Sequence, residues 1–269
     1  MISLTADKRM LGYGIMSPYP NIFCFSTTRH GGCSTGNYAS FNCTPYTGDE
    51  SLHVQRNCEI LSHSMPHLPK ELIIPVQVHD TKVAVIGREY MEASDEQRRQ
   101  LLQGIDALIT RETGYCICIS TADCIPILLY DRANRAVAAI HAGWRGTVNL
   151  IVEETLKEMN RQYGTKGQDI VACIGPGISL DSFEVGEEVY EAFRNKGFDM
   201  SAVSRWNKDT DKHHIDLWKS NSMVLQQCGV PKAQIEVSGI CTYIHHEDFF
   251  SARRLGIKSG RILSGIMLT

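Results

Sequence analysis

The chain has 269 residues, 43% hydrophobic and 21% charged with both signs mixed. That is enough to bury roughly 75% of the surface of the unfolded chain, and it excludes intrinsic disorder. The 27 Lys plus Arg against 30 Asp plus Glu leave a formal charge of −3 and a pI near 6.4, so no electrostatic footprint for nucleic acid or an anionic membrane is expected, although a local basic pocket for a small anion stays open.

The opening MISLTADKRMLGYG has no basic segment followed by an apolar run, so a signal peptide is not expected and the cytoplasm is the expected compartment. No apolar stretch approaches the ~18 residues of a membrane span. Ten cysteines are present without a C-x-x-C pair. Several fall in apolar runs, where a free thiol acts as a small buried hydrophobe. No repeat, low-complexity tract or linker divides the chain, which reads as one compact domain over 1–269. No heptad or extended exposed apolar face is evident, so a monomer is expected.

NIFCFSTT (21–28) is apolar and strand-like, and HGG (30–32) breaks it. FSTTRHGGCSTGNYASFN (25–42) is dense in turn residues. It reads either as a surface loop or as a binding loop with Arg29 as an anion contact and Asn42 as a polar anchor. LIIPVQVH (72–79) predicts a strand in which Pro75 marks an edge or irregularity. YCICIS (115–120), IPILLY (125–130) and AVAAIH (136–141) are apolar strands, and their continuity implies burial on both faces. A helix is expected from about Thr147, with Val148, Ile151, Val152, Leu156 and Met159 on one face and Gly164 as its stop. A second helix is expected over 185–196, ended by Gly197. A third begins at the N-cap Asp216 and ends at Gly229. IEVSGI (235–240) and RILSGIML (261–268) read as closing strands. Strands outnumber helices without strict alternation, which predicts an α+β fold of mixed sheets flanked by helices.

His79, Cys124 and His141 stand at the ends of predicted strands, where a rigid scaffold hands side chains to a cleft. Two imidazoles and a thiolate are a ligand set that zinc takes readily, leaving a fourth position for a water it activates. The alternative is a Cys–His hydrolase with Cys124 as nucleophile and His141 as base. Asp123, beside Cys124, is a candidate proton carrier or an orienting group. HAGWRGT (141–147) passes from strand through a glycine loop into a helix, an arrangement suited to anions, and Arg145 adds a phosphate contact. The HH pairs at 213–214 and 245–246 read as surface features.

The motifs FSTTRHGG with SFN, QVH (77–79), TADCIP (121–126), HAGWRGT, IGPGIS (174–179), and CT (241–242) with FFSARR (249–254) occur in this order. Together they resemble the YfiH laccase-domain family, whose members are variously named multicopper polyphenol oxidases, purine nucleoside phosphorylases and peptidoglycan editing factors. The resemblance runs from about residue 22 to the end. It implies a YfiH-like α+β domain and a zinc site made of His79, Cys124 and His141. It also implies phosphorolysis of adenosine, inosine, guanosine and methylthioadenosine, with deamination of adenosine. Small-molecule nucleosides and phosphate are then the expected partners, with Arg29 and Arg145 as anion contacts. Copper competes for such ligands, so a copper-dependent polyphenol oxidase is one alternative. A Cys–His amidohydrolase editing peptidoglycan precursors is a second, and a noncatalytic nucleoside-binding module is a third. Asp80 and Cys43 depart from the family pattern, which commonly has Gly and Leu there.

Overall fold

A computed structural model describes residues 1–269. In the strands Tyr115–Thr121, Ile125–Asp131 and Ala136–Ala142 almost every residue is buried. Successive side chains point to opposite faces, so each strand needs cover on both sides. Two six-stranded sheets cover each other on one side. The first has the order Ile2–Ser3, Met10–Gly12, Ile22–Thr27, Ile262–Leu268, Tyr115–Thr121, Glu71–Ile73. The second has the order Ile235–Val237, Ile170–Ile174, Ile125–Asp131, Ala136–Ala142, Ala107–Thr110, Val83–Ile86. The first is antiparallel except at its Glu71–Ile73 edge, and the second is antiparallel except at both edges.

Ile117, Ile119 and Ile266 of the first sheet meet Leu128, Val137 and Val171 of the second in a shared core. On the far side of the second sheet, Ile127 and Ile140 pack with Ile151, Leu156, Phe193 and Val224. These come from the helices Ile151–Tyr163, Glu187–Lys196 and Leu217–Gln227. On the far side of the first sheet, Phe25, Cys118 and Met267 pack with Leu61 of the helix Ser51–His63. The layers are therefore helix, sheet, sheet, helix, as the α+β expectation of mixed sheets flanked by helices requires. Each fully buried Leu, Ile or Phe contributes about 1.5–3 kcal/mol. No helix is long and apolar enough to cross a membrane.

Several local expectations change. The helix expected from Thr147 is two helices, Trp144–Val148 and Ile151–Tyr163, separated at Leu150, which takes a left-handed conformation with φ 62°. That conformation costs a non-glycine residue about 1–2 kcal/mol, and Leu150 packs against the core in return. No glycine or proline marks the break. The helix Ser51–His63 lies in a region that reads as strands and turns. Its apolar stripe is interrupted by the buried Asn57, whose Nδ2 donates to Ser34 Oγ, Ser40 O and Asn42 O. The strand expected over 72–79 stops at Ile73, at the sheet edge and just before Pro75. That expected over 235–240 stops at Val237. His213 and His214 are not a surface pair. They alternate along Lys212–Ile215, so His214 turns inward with Nδ1 2.8 Å from Leu180 O, while His213 stacks on Tyr190 with centroids 3.6 Å apart.

Candidate active site

The sheet order brings the three predicted ligands to one end of the molecule. Glu71–Ile73 and Tyr115–Thr121 run parallel in the first sheet, and both chains then cross to the second sheet. His79 lies on the first crossing and Cys124 on the second. Ala136–Ala142 runs antiparallel to Ile125–Asp131, so it returns to the same end, where His141 pairs with Pro126. The donor atoms of His79, Cys124 and His141 all lie within 4.8 Å of one another. His141 is buried, Cys124 half-buried and His79 exposed.

Asp106 fixes this arrangement, and nothing in the strand and motif pattern had singled it out. It is fully buried. Its Oδ1 accepts from His141 Nδ1 (2.7 Å) and from the backbone N–H of His79 (3.0 Å). Its Oδ2 accepts from the backbone N–H groups of Val78 (3.1 Å) and Asp80 (2.9 Å). One carboxylate thus orients a ring and holds the loop carrying His79, whose φ is 65°. With Nδ1–H donated to Asp106, Nε2 of His141 is the ring atom left that could take a metal. The available signal was GIDAL (104–108): an acid entering an apolar strand is buried, and a buried acid needs partners.

The electrostatics follow. Burial alone would raise the Cys124 thiol, but the positive charge of His141 and hydrogen bonds from both histidines bring it down to about 6. Burial alone would lower His141, but the Cys124 thiolate and Asp106 hold it up at about 9. Burial works against the Asp106 charge as well, and the bonds from His141 and the backbone still keep its carboxyl below the ordinary range. A thiolate–imidazolium pair at neutral pH results.

Gly143 closes the floor. A Cβ there would sit 2.9 Å from His79 Cδ2 and 3.0 Å from Cys124 Sγ, so the glycine of HAGW leaves room for the ligand atoms. The two imidazoles, the thiolate and this cradle fit a tetrahedral divalent metal with one position left for another group.

A cavity of about 210 Å³ opens over the trio, with Tyr46, Gln77, Ser120 and Arg261 in its wall. A larger depression of about 450 Å³ lies between residues 83–90 and 158–162. It holds no histidine or cysteine, and two of its charged residues, Glu158 and Arg161, are paired. The chemistry therefore belongs to the smaller cavity.

The other predicted residues do not line the cavity. Asp123 Oδ1 accepts from Thr242 Oγ1 (2.5 Å) and Oδ2 from the Arg253 backbone N–H (2.9 Å), tying the TADC turn to the CT and SARR motifs. Arg29 donates from Nε to Ala39 O and from Nη1 to His246 O, both at 2.8 Å, and lies over Phe250. Asn42 is fully buried. Its Nδ2 donates to Thr47 Oγ1 and Asp49 Oδ2, and its Oδ1 accepts from the Arg261 backbone N–H at 3.1 Å. Arg145 is exposed and lies over Trp144, 4.4 Å from the ring centroid. The long helix N-terminus expected near Thr147 as an anion site is not there, because Thr147 sits inside the five-residue helix Trp144–Val148.

Residues 23–269 match the family described as multi-copper polyphenol oxidoreductase laccase. A protein of Bacteroides thetaiotaomicron named purine nucleoside phosphorylase is 63% identical over 268 residues, covering 100% of this chain and 99% of that protein. A prokaryotic protein named adenosine deaminase RL5 is 42% identical over 242 residues, covering 90% of this chain and 92% of its own. The crystal structure of YfiH from Bacillus licheniformis superposes with a TM-score of 0.84 at 28% identity, covering 92% of this chain and 93% of that one. With the motif order, the clustered His79, Cys124 and His141 and matches along nearly the whole length, the chain belongs to the YfiH-type laccase-domain family of enzymes.

Proposed function

We propose that the protein is a zinc-dependent purine nucleoside phosphorylase that also deaminates adenosine, with adenosine, inosine, guanosine and methylthioadenosine as the substrate class. The observation that carries this reading is the His79–Cys124–His141 group, held by a buried carboxylate at the floor of a cavity that contains a cation. The names of the relatives that are 63% and 42% identical support it.

His79, Cys124 and His141 would hold the zinc, and copper would compete for the same donors. A bound zinc would supply Lewis-acid polarisation and water activation. The chain supplies the rest. Asp106 sets the His141 tautomer and fixes the His79 loop. Asp123 is assigned the orienting role rather than proton carriage, because both of its oxygens already accept bonds. Arg29 and Arg145 are assigned to the rim, where they attract an anion. Asn42 acts from behind, through the backbone of Arg261. The cavity is smaller than the roughly 300–1,000 Å³ of enclosed ligand sites, so part of a nucleoside would stand at the mouth beside the half-exposed Tyr46 ring. In phosphorolysis a phosphate oxygen bonds to the anomeric carbon as the bond to purine N9 breaks and N9 takes a proton. In deamination water adds at C6 and ammonia leaves.

A multicopper oxidase needs many histidine ligands for several clustered coppers, and the chain has a single three-residue group of metal-ligand type. The thiolate–imidazolium pair favours one second reading, a Cys–His amidohydrolase acting on peptidoglycan precursors. The test is incubation of the zinc-loaded protein with adenosine, with and without phosphate, followed by chromatography beside Cys124→Ala. Adenine and ribose 1-phosphate are expected only with phosphate, and inosine in either buffer. No product above the Cys124→Ala background overturns the purine reading. Amide hydrolysis that survives chelation and traps Cys124 covalently would establish the second.

A further inference from the structure

We infer that Arg261 is the residue that binds phosphate inside the cavity, and so the residue that sets the balance between phosphorolysis and deamination. The partition rests on the function proposed above, whereas the anion site rests on Arg261 alone.

Arg261 is the only Lys or Arg in the cavity wall, and it makes no ion pair with any carboxylate, unlike eight other arginines of the chain. A half-buried cation that no carboxylate pairs directly is costly. Burial pulls its pKa down, and the nearby Cys124 and Asp123 charges pull the other way.

Its geometry shows what would complete it. A guanidinium has five N–H donors in a fixed plane. Nη1 donates to Ser259 O (2.7 Å) and Gly260 O (3.0 Å), and Nη2 to Ile257 O (3.0 Å). The backbone N–H is held by the buried Asn42. Those bonds clamp the far end of the guanidinium to its own loop. The Nε–H and one Nη2–H are left, and the atoms Nε and Nη2 form one edge of the plane. That edge matches two oxygens of a phosphate in a bidentate contact. Arg29 and Arg145 offer nothing comparable in the cavity: the first gives Nε to a backbone carbonyl, and the second is exposed outside the wall.

The test compares wild type, Arg261→Gln and Arg261→Lys. The first readout is the ratio of adenine to the deamination products, inosine plus the hypoxanthine its phosphorolysis gives, formed from adenosine at fixed phosphate, with the phosphate KM. Arg261→Gln should lower the ratio and raise the phosphate KM by at least about tenfold. Arg261→Lys should fall between, since it keeps the charge and loses the bidentate edge. A purely structural role for the clamp would depress both products together and leave the ratio where it was, which would overturn the inference. So would an unchanged phosphate KM. The second readout is calorimetric titration of inorganic phosphate into the metal-free proteins. Phosphate binding by wild type that is lost in Arg261→Gln is expected. If wild type forms neither adenine nor inosine, the proposed function fails, and this titration still decides the anion site: equal phosphate affinity in wild type and Arg261→Gln refutes it.

Discussion

Replacing Asp106 with Asn isolates the residue that organises the site. The side chain keeps its shape, but one oxygen becomes an amide nitrogen that cannot accept a hydrogen bond. Turned one way, the amide faces His141 Nδ1 and the His79 N–H; turned the other way, it faces the Val78 and Asp80 N–H groups. In either orientation two donors that face the fully buried carboxyl lose their acceptor. Each costs about 1–3 kcal/mol, so about 2–6 kcal/mol of a total near 5–15 kcal/mol is lost. At the lower end the metal-free Tm falls by about 4–8 °C. The first orientation also leaves His141 without its tautomer-setting partner, and the second releases the His79 loop. Zinc affinity should therefore fall roughly 10–100-fold, measured by competition against a chromophoric chelator on protein confirmed as folded by circular dichroism. Zinc affinity within twofold of wild type would refute the claim that Asp106 builds the site.

Two further outcomes are expected. Gly143→Ala places a methyl group 2.9 Å from His79 Cδ2 and 3.0 Å from Cys124 Sγ. One ligand must then move by more than the ~0.2 Å that metal sites tolerate. Zinc affinity should drop at least about tenfold while the metal-free Tm changes little, because φ −69° and ψ 172° suit alanine; chelator competition beside thermal melts checks both. In the metal-free protein the Cys124 thiolate should titrate near pH 6, read as wild-type minus Cys124→Ala ultraviolet absorbance. The sign follows from the shifts. Cys124 is depressed, so its contribution to stability is complete above pH 9 and is lost as pH falls through about 6. His141 is raised, so its contribution is complete below pH 6.5 and is lost as pH rises through about 9. The ion pair therefore stands between about pH 6 and 9. His141→Ala should move the thiol midpoint upward, and a midpoint that stays near 6 would show that His141 does not hold the thiolate.

The buried strands were legible because burial on both faces writes an unbroken apolar run. Ile125–Asp131, Ala136–Ala142 and Ile262–Leu268 lie within a residue or two of where their apolar residues place them. Asp216 was legible for a different reason: its side chain accepts from Lys219 N–H, as an N-cap should. The break at Leu150 left no mark, because an ordinary leucine takes a conformation usually left to glycine and tertiary packing offsets the cost. Helix Ser51–His63 left little mark, because its central buried residue, Asn57, holds the 33–42 loop through hydrogen bonds rather than apolar contact.

Within the site, the division is between residues that face the cavity and residues that hold those residues. His79, Cys124 and His141 stand out in the sequence as polar groups at strand ends. Asp106 and Gly143 matter for where four backbone or ring donors and two ligand atoms come together, and the partners of Asp106 lie 26 to 35 residues away. Arg261 directly precedes the strand Ile262–Leu268 and carries no motif of its own, and the fold places it in the cavity wall with Cys124. In each case the meaning is set by the two crossings between the sheets. Glu71–Ile73 and Tyr115–Thr121 leave the first sheet side by side, which carries His79 and Cys124 to the end where Ala136–Ala142 returns with His141. The same topology places the start of Ala107–Thr110 against that end, because Ala107 pairs with Ile140. Asp106 therefore arrives beneath His141 for the same reason that His79, Cys124 and His141 meet. The site is a consequence of strand order, which is the property that local sequence pattern carries least.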